Sequence, residues 1–168
     1  MCGIWAIFGA KGDVKKLCIQ CMKVSHRGPD AFRVESISAF PRSCLGFQRL
    51  AIVDQIYGMQ PMMVTAYPHI RLLYNGEIYN CRDVGRQYDF KYQTRCDGEV
   101  IIHLYARFGA EVTAEMLDGV FAFCIIDTKA RKVHLGRDIF GVRPMFTFFD
   151  TGEYIKVIDS CIHTQQLC

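Results

Sequence analysis

The sequence predicts an α+β fold in which two β-sheets stack face to face under helices, and three observations carry that prediction. Strand-like apolar segments lie at both ends of the chain, and helical periodicity fills stretches between them. One nearly continuous apolar run, Val120-Phe121-Ala122-Phe123-Cys124-Ile125-Ile126, offers no polar face to water. A strand apolar on both sides belongs in the middle of a layered structure. At 168 residues, 51% hydrophobic and 22% charged, the chain can bury such a core and reads as one globular domain.

Cys2 to Phe8, rich in Ile, Trp and Phe, reads as a buried strand ended by Gly9. A helix is expected from about Asp13, its N-cap, to Ser25. Gly28 and Pro29 then force a loop over His26-Arg27-Gly28-Pro29-Asp30, which alone reads as a solvated turn. From Leu45 to Val53 a two-residue alternation predicts a strand carrying Arg49 on one face. An arginine in so apolar a neighbourhood needs an anionic partner, either an internal Asp or a ligand carboxylate. Asn75-Gly76 between apolar runs is a hairpin signal, so a tight turn is expected there between Arg71–Tyr74 and Ile78–Tyr79. Asp97 is placed to cap a helix whose face is Val100, Ile101, Leu104, Tyr105 and Phe108, closed by Gly109. A second helical segment spans about Ala110 to Leu117. Strands are predicted over Val120–Asp127, Lys132–Leu135 and Pro144–Phe149.

A formal charge of +3 is spread along the chain without a Lys/Arg block, so neither nucleic acid nor an anionic membrane is indicated as a partner. The apolar stretch Gly3 to Ala10 is too short to cross a bilayer and lacks a basic residue before it, which points to the cytosol. Nine irregularly spaced cysteines fit scattered reduced thiols. In Cys18-Ile19-Gln20-Cys21 both sulfurs fall on the apolar stripe made with Val14, Leu17 and Met22, so buried thiols are expected and no metal site.

The start of the chain, Met1-Cys2-Gly3-Ile4-Trp5, holds the candidate chemistry. Removal of Met1 would leave a thiol and a free α-amine on one residue. Such an amine titrates at about 7.7–8.0 in model peptides, near the optimum for a general base, and a thiol is readily activated. Asn75 and Gly76 side by side could supply two donors to one oxyanion.

Eight stretches, in order, resemble the glutamine-hydrolysing domain of the asparagine synthetase family, within the N-terminal-nucleophile amidotransferases. They are Met1-Cys2-Gly3-Ile4-Trp5, His26-Arg27-Gly28-Pro29-Asp30, Arg49-Leu50-Ala51-Ile52-Val53-Asp54, Gly58-Met59-Gln60-Pro61, Tyr74-Asn75-Gly76-Glu77-Ile78-Tyr79-Asn80, Asp97-Gly98-Glu99, Leu117-Asp118-Gly119-Val120-Phe121-Ala122-Phe123, and Gly136-Arg137-Asp138 with Gly141-Val142-Arg143-Pro144. The resemblance implies a four-layer αββα sandwich over residues 2–157. It implies Cys2 as nucleophile with its α-amine as base, and the Asn75 side chain with the Gly76 amide as oxyanion hole. Arg49 would hold the α-carboxylate of glutamine and Asp97 its α-ammonium, with Leu50, Ala51, Ile52, Val53 and Glu77 completing the substrate contacts. For His26 to Asp30 a structural or domain-contact role is implied as readily as a catalytic one.

The chain also departs from the family. No Ser-Gly-Gly-x-Asp-Ser phosphate loop occurs, so ATP and Mg would belong to a synthetase domain that is not expected here, and no cofactor is expected in this chain. Residues 158–168 do not match and read as a divergent tail, so the last strands of the sandwich are candidates for absence, which would leave a sheet edge unpaired. Three readings follow. The leading one is a cysteine-nucleophile glutaminase. The second is a non-catalytic module that binds glutamine or a partner chain, and the third is an ammonia donor to a synthetase domain or subunit in trans.

Overall fold

A computed structural model describes residues 2–51, 58–149 and 155–158. In chain order the elements are β1 (Gly3–Phe8), α1 (Val14–Cys21), a 3-10 helix (Met22–Arg27), β2 (Ala31–Ser36), β3 (Cys44–Arg49), β4 (Ile70–Ile78), α2 (Cys81–Tyr88), α3 (Glu99–Phe108), α4 (Ala110–Met116), β5 (Gly119–Asp127), β6 (Lys132–Arg137), β7 (Phe146–Phe149) and β8 (Ile155–Ile158). The strands form two antiparallel sheets, one ordered β2-β3-β1-β8-β7 and the other β4-β5-β6.

Alternation along single strands shows how the layers arise. Trp5 and Ile7 of β1 face outward onto α1 and the 3-10 helix, where Val14, Leu17, Cys18, Cys21 and Val24 close a small core. Ile4 and Ala6 face the other way and pack with Leu45, Phe47, Leu73, Cys124 and Ile126 between the sheets. From β4 and β5, Leu72, Tyr74, Phe121, Phe123 and Ile125 face a third cluster under α3, with Val84 of α2. Because successive side chains point to opposite faces, the three cores stack as helix, sheet, sheet, helix. This is the expected αββα sandwich. The run Val120–Ile126 is the central strand of the second sheet and is buried on both faces from Phe121 onward.

Asp13 caps α1 as predicted, its carboxylate accepting from the Lys15 N–H at 2.9 Å. The α-helix stops at Cys21, however, and continues to Arg27 as the tighter 3-10 form. The strand expected over 45–53 ends at Arg49, because the main chain of Asp30 donates to the Arg49 carbonyl (3.0 Å) and its carboxylate takes the Ala51 N–H (2.7 Å). Its alternation is also absent as an exposed face, since every residue of β3 is buried. Gly46 has to be glycine there, since a Cβ would lie 1.9 Å from Trp5 Cε2.

The largest correction concerns Asn75-Gly76. No turn occurs, and both residues lie inside β4, which runs unbroken from Ile70 to Ile78 and pairs with β5 along its length. The backbone of β5 comes so close that a Cβ on Gly76 would sit 2.1 Å from the Val120 carbonyl oxygen. Glycine is therefore required for strand contact and not for chain reversal. Asp97 likewise does not cap α3, which begins behind Gly98 with no side-chain cap. Three elements, β2, α2 and β8, are not expected from the sequence, and β8, from the end of the chain thought open to loss, lies between β1 and β7. The unmatched tail from 159 onward lies outside the described residues, as do Ile52 and Val53.

Candidate active site

Cys2 precedes β1 and leans on the core between the sheets. Its Sγ lies 3.4 Å from the Leu50 N–H nitrogen and 3.6 Å from the Leu50 carbonyl oxygen. The antiparallel register of β1 and β3, Gly3 opposite Gln48, puts the start of one strand against the end of the other. Cys2 and the buried Arg49 therefore meet at one end of the first sheet. Behind them the buried Gln48 amide, turned so that its nitrogen faces the Gly3 carbonyl (3.2 Å) and its oxygen the Trp5 indole N–H (3.1 Å), ties the strands together.

The His26–Asp30 loop brackets this end. A Cβ on Gly28 would come within 2.3 Å of the Gln48 carbonyl carbon, so only glycine lets the loop lie on β3. Pro29 bridges Arg49, and Asp30 latches Ala51 as described above. His26 is exposed and bonded locally to the Lys23 carbonyl at 3.1 Å. Within this loop Arg27 is the further site candidate. Its Cβ is 3.4 Å from where a Gly3 Cβ would stand, and its buried Nε and Nη2 have no hydrogen-bond partner among the described residues. Only burial of the guanidinium, which a sequence does not show, could have marked it.

From the second sheet, Asn75 is buried and shares the inter-sheet face of β4 with Leu73, the residue whose cluster Cys2 touches. Glu77, two residues further on, is exposed. Among the described residues, the outer edge of β4 has no neighbouring strand. Along it the Leu72 N–H bonds the Met62 carbonyl (3.0 Å), the Tyr74 N–H bonds Gln60 Oε1 (2.6 Å) and the Ile78 N–H bonds Asp97 Oδ2 (2.6 Å). By the same two-residue period the Gly76 N–H faces that edge. Its cross-strand partner Phe121 agrees, giving its N–H to Asp138 Oδ2 (3.1 Å) and its carbonyl to the Asp138 N–H (2.9 Å), away from β4.

Asp97 thus bonds across to β4 and not along its own helix. Its Oδ2 also accepts the Tyr74 hydroxyl at 2.7 Å. Burial first, and then the Asp97 carboxylate, push the Tyr74 phenol well above its ordinary range, so it stays a donor. The neighbouring Glu99 is fully buried, which by itself would raise its carboxyl. Bonds from His103, the Thr94 hydroxyl and the Gln93 and Thr94 N–H groups outweigh that and hold it below the usual value.

Among the described residues no group of three or more His, Cys, Asp or Glu side chains could hold a metal ion, and no helix is long and apolar enough to cross a membrane. None of the seven described cysteines is in a disulfide. Burial pushes the Cys21, Cys44 and Cys124 thiols up to about 12. A cavity of about 620 Å³ lies at the other end of the second sheet, lined by Ile70, Asp127 and Lys132 among others. It contains none of the candidate residues, so size alone does not locate the chemistry.

Comparison with known proteins identifies the family of the chain. The chain is 58% identical over 157 residues to a glutamine-hydrolysing asparagine synthetase of Gallus gallus and 53% identical to that of Homo sapiens, in each case over 94% of this chain. It spans 28% of the length of those relatives. The glutamine phosphoribosylpyrophosphate amidotransferase of B. subtilis superposes with a TM-score of 0.76 at 19% identity, over 94% of this chain and 41% of the other, a likeness of fold. The glutamine amidotransferase domain family matches residues 1–160, and the chain belongs to that family.

Proposed function

We propose that residues 2–157 hydrolyse the side-chain amide of glutamine to glutamate and ammonia through a thioester on Cys2. Once Met1 is removed, the Cys2 α-amine takes the thiol proton, through a water, as sulfur attacks the amide carbon. The tetrahedral oxyanion accepts hydrogen bonds from the Asn75 side chain and the Gly76 N–H. Collapse breaks the carbon–nitrogen bond, and the proton held by the amine leaves on ammonia. Water, deprotonated by the same amine, then attacks the thioester carbon, freeing glutamate and restoring the thiol.

Arg49 pairs with the substrate α-carboxylate through its planar fork, and Asp97 takes the α-ammonium. Leu50 to Val53 and Glu77 complete the contacts. Thiol and amine supply nucleophile and base, so this half-reaction needs neither metal nor nucleotide. ATP and Mg belong to the synthetase chemistry that uses the ammonia, which a domain or subunit in trans would perform. Exposed Ile139 and Phe140, in a turn whose Phe140, Val142 and Arg143 N–H groups bond the Asp138 carboxylate, are apolar surface of the kind an interface covers. Seven thiols outside any disulfide support a reducing compartment such as the cytosol.

The observation that carries the reading is the meeting of Cys2 Sγ with the Arg49–Leu50 main chain, 3.4 Å from the Leu50 nitrogen, beside a buried arginine. Glutamate release from glutamine, measured on the purified chain beside Cys2→Ala, tests it, with intact mass reporting Met1. Loss of release in Cys2→Ala is expected. Equal release by both proteins, or a retained Met1 in an active chain, would remove the mechanism.

A further inference from the structure

We propose that Gln60 and Tyr74 are positioning residues for this reaction: they stand in for a neighbouring strand along the edge of β4, hold the Gly76 N–H open to the substrate oxyanion, and set which oxygen of Asp97 receives the ammonium. The inference rests on the proposed glutamine hydrolysis and adds two residues that the mechanism does not yet use.

Edge strands carry unpaired main-chain groups that need partners or water. Around Gly76 those partners are side chains. The buried Gln60 amide spans Tyr74 twice, its Oε1 taking the Tyr74 N–H at 2.6 Å and its Nε2 donating to the Tyr74 carbonyl at 2.9 Å. At neutral pH a primary amide presents the acceptor and the donor together in the fork that an edge-strand residue demands, which an ionised carboxylate does not. This gives a physical reason for glutamine in Gly58-Met59-Gln60-Pro61.

Two residues beyond Gly76, the Ile78 N–H is taken by Asp97 Oδ2 at 2.6 Å. Tyr74 closes the circuit. Its ring lies under Gly98, where a Cβ would be 2.5 Å from Cδ1, and its hydroxyl donates to that same Oδ2 at 2.7 Å. With two donors on Oδ2, the Asp97 carboxylate offers Oδ1, whose contact among the described residues is the Cys96 thiol at 3.8 Å. Gly76 is thus flanked on both sides by clamped residues, and one clamp is also the ammonium anchor.

The test measures glutamate release and glutamine binding on the whole chain. Gln60→Ala should lower kcat by roughly 10- to 100-fold with KM within about twofold, since a small misplacement of an oxyanion donor costs rate and not affinity. Tyr74→Phe should do the reverse, raising KM about tenfold with a smaller effect on kcat, the size expected for one bond to a charged group. Gln60→Glu supplies a signature that fold damage would not. Ionised, it opposes the Tyr74 carbonyl, and protonated it regains both bonds, so its kcat relative to the parent should rise as pH falls.

In a Cys2→Ala background, Tyr74→Phe should weaken glutamine binding about tenfold, a readout independent of turnover. A parent chain that binds glutamine without releasing glutamate would sink the hydrolysis reading while this arm still judged Tyr74. Folded Gln60→Ala and Gln60→Glu with parental kcat, or Tyr74→Phe with parental KM and binding, would overturn the inference.

Discussion

The two sheets hold their shares of the candidate site by different means. In the first, β3 is paired on both sides, and Arg49 is fixed by β2, by Pro29 and by the Asp30 main chain. Main-chain bonds do that work, and side chains enter mostly as glycines that permit close approach. In the second, β4 is an edge strand whose outward groups are satisfied by Gln60 and Asp97. The first arrangement is insensitive to most side-chain identities but intolerant of added volume. The second is written in particular side chains, so single polar substitutions reach the chemistry.

Breaking the second sheet's contribution should have the largest effect. Asn75→Ala is expected to lower the rate of glutamate release by about 10²–10³, the usual cost of one oxyanion donor. A rate within about threefold of the parent would remove Asn75 from the oxyanion hole. Arg49→Lys sharpens the contrast at the first sheet. The strand pairing should keep its position while the loss of a bidentate fork raises KM for glutamine by about tenfold or more, with kcat less affected. Steady-state kinetics of the two variants side by side would separate rate from recognition.

Asp30→Ala removes the Ala51 latch, a 2.7 Å bond from backbone N–H to carboxylate. A loss of about 1 kcal/mol is expected from the denaturant midpoint. The smallest effect is a pH dependence. Burial would raise the Asp138 carboxyl, but four backbone N–H groups hold it low, and Glu99 is held low in the same sense. Unfolded, both would titrate near about 4. Their contribution is therefore complete above that value and is lost as pH falls through the lower folded one. Thermal melting from neutral to acid pH should decline below about pH 4, and Glu99→Gln should make the decline shallower. An unchanged slope would mean that the Glu99 bonds do not set it.

The same contrast explains what could be read from the sequence. Elements that bury one face, or two, announced themselves: β1, α1 with its Asp13 cap, α3 and β5 all lie close to where periodicity and capping put them. Asn75-Gly76 misled because Asn-Gly is a local turn signal, whereas the deciding fact is the approach of the Val120 carbonyl, 45 residues on in the chain. Asp97 misled in the same way, since Tyr74 and Ile78 outcompete the helix for its carboxylate. The edge strand β2 leaves Phe32 and Val34 exposed, and α2 buries only Val84 and Gly85, so neither writes a clear apolar period. The residue types proposed for the site come from the family resemblance. The bonds that orient them join segments distant in sequence and were not.

Trp5 is the sole tryptophan of the chain, its indole sealed between Gly46 and the first helical layer three residues from Cys2. Excited selectively at its tryptophan, the protein therefore reports one environment alone, and a red shift of that emission would register water entering behind the nucleophile before any assay of turnover was run.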